Sequence, residues 1–187
     1  MSERHAPVLI VVTGRPGSGK TTLAHRLART IRCPAFCRDE FKEGLVHTIR
    51  AHVTPDDHPR LNWQVYDPFF CAIELLLRHD ITLVAEAAFQ HKLWRPKLEP
   101  LQAVAQIRII VCSIDPVLAH TRFIQRNVSD PERENYHGRG WIQPNSADHA
   151  LRIRPYEPPQ LAVPTLMVDT SDGYKPSLER IVEFTLQ

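Results

Sequence analysis

The sequence predicts an α/β fold of three layers, a central parallel sheet with helices on both faces. Three observations point there. Short apolar runs rich in β-branched residues, Val8–Thr13, Ile81–Ala85, Ile107–Ser113 and Thr165–Val168, recur along the chain. Uninterrupted runs of this length suit strands buried on both faces, the usual situation in a parallel sheet. Helical spacing fills the intervals between them, and strand–helix alternation implies crossover connections. The first run also leads straight into a glycine-rich stretch that opens a helix.

Taken in order, Val8–Thr13 is the first strand. Lys20–Ile31 is a helix, with apolar Leu23, Ala24, Leu27, Ala28 and Ile31 on one face. Ala35–Cys37 is a short strand, and Asp39 is placed to cap a helix running to about Ile49. The run 52–62, HVTPDDHPRLN, reads as a loop because prolines and aspartates break both periodicities. Trp63–Leu77 is helical, and Ile81–Ala85 is a strand. A proline-punctuated helix covers about 92–105, followed by the strand Ile107–Ser113. Asp115-Pro116 supplies an N-cap and an N1 proline for a helix to about Arg126. Residues 127–146 are polar and aperiodic. Thr165–Val168 and Ser177–Leu186 close the domain as strand and helix.

A chain of 187 residues is long enough for one well-buried domain. No linker divides it, so residues 1–187 are read as a single domain. Its formal net charge of +2 argues against a dedicated nucleic-acid binder, which normally carries a strongly basic face. Cys33, Cys37, Cys71 and Cys112 show no framework spacing; Cys71 and Cys112 sit in apolar runs and read as buried thiols. Cys33-x-x-x-Cys37 lacks the second pair that a structural metal site needs. His47, His52 and His58 are scattered, with no pairing on a helix face. The polar start MSERHAP is no signal peptide, and no run is long enough to span a membrane. These features lead us to expect a cytoplasmic protein with no membrane partner; they do not address oligomeric state.

The chemistry starts at Gly14. Residues Gly14, Arg15, Pro16, Gly17, Ser18, Gly19, Lys20 and Thr21 read G-x-x-x-x-G-K-T, with Thr22 following. Such a loop turns consecutive backbone N–H groups around phosphate oxygens. Its lysine reaches the β- and γ-phosphates, and its Ser/Thr hydroxyl reaches Mg²⁺. The helix that begins there adds the positive end of its dipole. The strand before and the helix after are the context this motif requires, so Gly14–Thr22 is assigned to nucleotide binding, with ATP and Mg²⁺ as the expected ligands.

Next comes CRDEFKEGL, residues 37–45. An acid at the carboxyl end of the second strand faces the phosphate loop across the sheet edge, where Asp39 can take a proton from a substrate hydroxyl. Charge pattern alone equally allows Asp39 to be a cap, with Glu40, Lys42 and Glu43 on a solvated face. The phosphate loop, the strand and RDEFKEGL together resemble the P-loop kinases of the group that includes polynucleotide 5′-hydroxyl kinase, gluconate kinase and the chloramphenicol phosphotransferases. The resemblance implies a P-loop NTPase fold with a small helical lid at about 127–146. It implies that Asp39 is the general base, with Arg38 and Lys42 at the flanking basic positions. It also places adenine near the segment 169–173, for which a simple turn is the alternative.

Two further features bear on the same chemistry. ITLVAEAAF, residues 81–89, ends a strand near Glu86, where a carboxylate helps to hold Mg²⁺; related kinases more often carry aspartate, and a strand-end acid without a ligand is the alternative. Arginines 122, 126, 133 and 139 follow the strand 107–113. Arginine stabilises charge on a transferring phosphoryl group, and kinases of this fold carry such arginines on a lid; surface salt bridging is the alternative. Arg126 is the one singled out. The expected function is therefore transfer of the γ-phosphate of ATP to a hydroxyl of a small molecule, with Lys20, Asp39 and Arg126 catalytic and Thr21 and Glu86 holding the metal. The alternatives are a polynucleotide 5′-hydroxyl kinase, an NTPase in which Asp39 positions water, and a nucleotide-binding module without an acceptor. The segment 52–77, with Asn62, Trp63 and Tyr66, is the expected source of acceptor contacts.

Overall fold

The computed structural model describes residues 6–49, 54, 57–130, 136 and 155–187. Five strands form one sheet: β1 (Val8–Gly14), β2 (Ala35–Cys37), β3 (Leu83–Ala87), β4 (Gln106–Ser113) and β5 (Thr165–Asp169). Their order is β2-β3-β1-β4-β5, and every pairing is parallel. The described helices are α1 (Lys20–Ile31), α2 (Arg38–Ile49), α3 (His58–Gln64), α4 (Tyr66–Arg78), α5 (His91–Leu101), α6 (Pro116–Ser129) and α7 (Leu178–Leu186).

Strand alternation splits the core in two. Leu9 and Val11 point to one face and pack with Phe69, Ile73, Trp94 and Leu98 of α4 and α5. Ile10 and Val12 point to the other and pack with Leu23, Leu27 and Ile181 of α1 and α7. Helices cover both faces, which explains why the strands read as unbroken apolar runs. The result is the three-layer α/β/α arrangement of a P-loop NTPase, with β1 at the centre of the sheet. β4, the neighbour of β1, sends its crossover outward to β5, whereas β1 sends its own the opposite way to β2. The carboxyl end of β1 is therefore the switch point at which open α/β sheets bind ligands.

Several elements differ from the sequence expectation. β3 runs Leu83–Ala87 and not Ile81–Ala85, because it registers Leu83 against Leu9 and Glu86 against Val12. Glu86 thus lies inside the strand, not beyond it. The expected loop 52–62 contains α3 from His58, started by Pro59. The expected helix Trp63–Leu77 is broken at Val65: Pro68, in the first turn of α4, has no N–H to continue an α-helical ladder back to Gln64. α2 begins at Arg38, so Asp39 stands in its first turn and not at the cap. α6 extends to Ser129, three residues beyond Arg126. Cys112 is buried, but Cys71 is exposed on the outer side of α4, since Phe69, Phe70 and Ile73 take the inner one.

Candidate active site

The phosphate loop runs from the carboxyl end of β1 to the first turn of α1. Gly17 has φ +81°, and a Cβ there would come within 2.0 Å of the Ala119 carbonyl oxygen, so only glycine lets the loop lie against α6. Gly19 caps α1 in the left-handed conformation. The Ser18 hydroxyl is buried and has no hydrogen-bond partner among the described residues. An orphaned hydroxyl beside a helix N-terminus fits a bound phosphate, which supplies the missing acceptor.

Glu86 organises the cations and hydroxyls around this loop. It is 3% exposed, accepts the Thr21 hydroxyl at 2.8 Å on Oε2, and lies 3.4 Å from Lys20 Nζ through Oε1. All three expected phosphate- and metal-side residues therefore converge. Thr21 and Glu86 offer only oxygen donors, the set that Mg²⁺ prefers. These two residues would hold the ion, whose contribution is to neutralise charge on the phosphates.

Asp39 approaches from the first turn of α2, just past the end of β2. Cys37 pairs with Glu86 across β2 and β3, so Asp39 lies two residues beyond the partner of Glu86. Its carboxylate accepts from Arg38 Nη1 at 3.1 Å. Arg38 Nη2 in turn donates to the Asn62 carbonyl and to Asn62 Oδ1, at 3.0 and 2.8 Å, while its guanidinium lies over the Phe89 ring. α3, unexpected from the sequence, is what brings Asn62 there. Lys42, one turn further along α2, is 2% exposed. Burial, with the Arg38 guanidinium second, lowers its ammonium to about 8.

Opposite Asp39, the loop after β5 borders an open cleft of about 500 Å³ lined by Gly19, Thr22, Arg26, Arg122, Gly173 and Tyr174 among others. Arg122 Nη1 and Nη2 donate to the carbonyls of Thr170 and Ser171 at 2.9 and 2.6 Å, and Thr170 Oγ1 donates to the Ser18 carbonyl at 2.8 Å. Arg122 is thus fixed against the loop that follows β5. Arg126 is exposed in the last turn of α6, and its guanidinium has no partner among the described residues. Arg133, Arg139 and most of the expected lid, 127–146, lie outside the described residues.

Sequence reading missed the support beneath the loop. Thr13 Oγ1 accepts from Trp94 Nε1 at 3.0 Å, bonds the Tyr156 hydroxyl, and lies 2.8 Å from the Ala87 carbonyl oxygen. Tyr156 also donates to the Phe89 carbonyl at 2.7 Å, and burial pushes its phenol up to about 12. This network ties β1, β3, α5 and the segment following residue 154 together immediately before Gly14. No spacing rule links residues 13, 94 and 156, so nothing in the chain flagged it.

No helix among the described residues is long and apolar enough to cross a membrane. A search of curated proteins found no match. Among solved structures the chain is similar to a candidate kinase from Chloroflexus aurantiacus J-10-fl, at 25% identity over 98% of each chain and a TM-score of 0.83. It is also similar to a gluconokinase from Sinorhizobium meliloti 1021, at 18% identity over 98% of this chain and 91% of the other, with a TM-score of 0.55. A third likeness is to one chain of an RNA repair complex, at 18% identity over 82% of this chain and 48% of the other, with a TM-score of 0.56. The fold is that of the P-loop kinases. Residues 9–141 match the AAA domain family, and the chain belongs to it.

Proposed function

We propose that the protein is a phosphotransferase that moves the γ-phosphate of ATP to a hydroxyl of a small molecule. The observation carrying this reading is the register of Cys37 against Glu86, which sets Asp39 at the sheet edge beside the phosphate-side cluster. A binding module needs Lys20 and Thr21 but has no use for a carboxylate there. In the proposed reaction the acceptor oxygen bonds the γ-phosphorus as the bond to the β-bridging oxygen breaks. Asp39 takes the hydroxyl proton, and Arg38 holds the Asp39 carboxylate in place. Lys20, the loop amides and the Ser18 hydroxyl bind phosphate oxygens, and Thr21 and Glu86 hold Mg²⁺. The cleft beside Arg122 and Gly173 receives the nucleoside, and Arg126 meets the transferring phosphoryl group. Residues 1–187 would act as one domain, with a lid at 127–146.

Resemblance to a gluconokinase and a candidate kinase supports the reaction class. A polynucleotide 5′-hydroxyl acceptor is the second reading, favoured by the two cations Arg38 and Lys42 beside Asp39 and by the likeness to the RNA repair complex. Near-neutral net charge weighs toward a small molecule. A competition between small alcohols, sugars and a 5′-hydroxyl oligonucleotide, at low and moderate salt, tests the choice. Oligonucleotide phosphorylation that falls steeply with salt, with no small molecule labelled, would transfer the proposal to the second reading.

A further inference from the structure

Behind the phosphate side, three metal-binding side chains meet that the proposed reaction does not use. His25 lies on α1 one turn past Thr21, Cys37 ends β2, and Glu40 stands in the first turn of α2. Cys37 is fully buried, and its Sγ lies 3.5 Å from His25 Nε2. The same nitrogen is 2.7 Å from Glu40 Oε1, and one donor atom from each residue falls within 4.8 Å of the others. His25 and Glu40 are part-exposed, with side chains 40% and 48% accessible, so an ion can enter from solvent.

The donor set selects the ion. One sulfur, one imidazole nitrogen and one carboxylate oxygen do not suit Mg²⁺, whereas Zn²⁺ takes this mixture readily. Zn–S and Zn–N bonds of about 2.3 and 2.0 Å at a tetrahedral angle put sulfur and nitrogen about 3.5 Å apart. That separation already exists between Cys37 and His25. The nitrogen–oxygen gap must open from its hydrogen-bonded 2.7 Å to about 3.3 Å. Glu40, on an exposed helical turn, has room to do so. Three protein ligands leave a fourth position for water or an added ligand.

We propose that His25, Cys37 and Glu40 form a Zn²⁺ site that adjoins the Thr21–Glu86 position, Cys37 lying beside Glu86 across β2 and β3. Binding breaks the Cys37 S–H bond, forms S–Zn, and releases one proton to solvent with no change of oxidation state. Cys37 and Glu40 bracket Arg38 and Asp39, so the ion clamps the turn carrying Asp39 to the helix carrying Thr21.

The test uses the full chain without a histidine tag, in excess Mg²⁺ to saturate the phosphate side, titrated with Co²⁺ as a spectroscopic probe and then with Zn²⁺. The expected result is uptake of one Co²⁺, with thiolate-to-cobalt charge transfer and four-coordinate ligand-field bands, reversed by Zn²⁺ and not by Mg²⁺. His25→Ala and Glu40→Gln, both at accessible positions, should each weaken binding by at least about tenfold. They test the site without disturbing the buried Cys37. Binding no tighter than millimolar, a spectrum without the thiolate band, or uptake unchanged in both variants would overturn the proposal. So would uptake that Cys71→Ser abolishes. The kinase reading is independent of every one of these outcomes.

Discussion

Replacing Glu86 by glutamine separates its charge from its shape. At 3.4 Å from Lys20 Nζ, and with an effective dielectric of 20, the carboxylate attracts the ammonium by about 5 kcal/mol. Desolvation of two nearly buried ions offsets much of that, several kcal/mol for each. Glutamine retains an oxygen for the Thr21 hydroxyl, so the change removes the charge and little else. In the free protein, Lys20 then lacks its counter-charge, and stability should fall by roughly 1–3 kcal/mol in urea denaturation. Bound phosphates restore the missing negative charge and no longer meet a carboxylate. ATP affinity without Mg²⁺ should therefore rise about tenfold, equivalent to about 1.4 kcal/mol. The additional gain on adding Mg²⁺ should shrink at least as much, because a ligand of the ion is lost. Calorimetric titration of wild type and Glu86→Gln with ATP, with and without MgCl₂, measures both quantities. An undiminished Mg²⁺ gain in the variant would refute the assignment of Glu86 to the metal.

Three other substitutions probe separate parts of the site. Lys20→Ala should weaken ATP binding and abolish turnover; calorimetry showing unchanged affinity together with normal turnover would remove the phosphate-loop reading. Arg122→Ala should weaken ATP by about tenfold while leaving inorganic tripolyphosphate binding nearly unchanged, since Arg122 fixes the nucleoside-side loop and not the phosphates; equal losses for both ligands would contradict that. Lys42 has a pH signature because its folded-state value is about 8 against an ordinary 10.5. Below pH 8 both states hold the proton, and the folded state bears the full penalty, roughly 3 kcal/mol; between pH 8 and 10.5 the unfolded chain binds more protons, so this group's contribution to stability rises with pH. The stability advantage of Lys42→Met should shrink by roughly 1 kcal/mol from pH 7 to pH 9 in urea denaturation, and a margin independent of pH would refute it.

What could be read from the chain followed from local rules. The phosphate loop needs glycines, a lysine and a hydroxyl at fixed spacing, so Gly14–Thr21 was legible without a structure. The strands were legible because burial on both faces leaves unbroken apolar runs. β3 lies two residues beyond the stretch its apolar run indicates, because a charged Glu86 reads as a strand end. Its acceptance inside the sheet depends on Lys20 and Thr21, which are distant in sequence. α3 was hidden by its proline, which marks a loop and a helix start equally well. Arg122 and Arg126 share a spacing of four but not their surroundings, since Arg122 meets the carbonyls after β5 while Arg126 is exposed. The Thr13–Trp94–Tyr156 network and the His25–Cys37–Glu40 cluster are products of tertiary contact, and no periodicity encodes them.

In the proposed reaction Asp39 is what turns a nucleotide site into a phosphotransferase, and the fate of the γ-phosphate decides whether it does. Wild type and Asp39→Asn are supplied with γ-labelled ATP, Mg²⁺ and a panel of small alcohols, sugars, nucleosides and a 5′-hydroxyl oligonucleotide. Asparagine keeps the shape but cannot take the proton. Wild type should place label on a small hydroxyl compound, and Asp39→Asn should do so about 10²–10⁴-fold more slowly with ATP affinity and Tm nearly unchanged. Label appearing only as inorganic phosphate, or an Asp39→Asn variant that transfers at the wild-type rate, would contradict the proposed reaction.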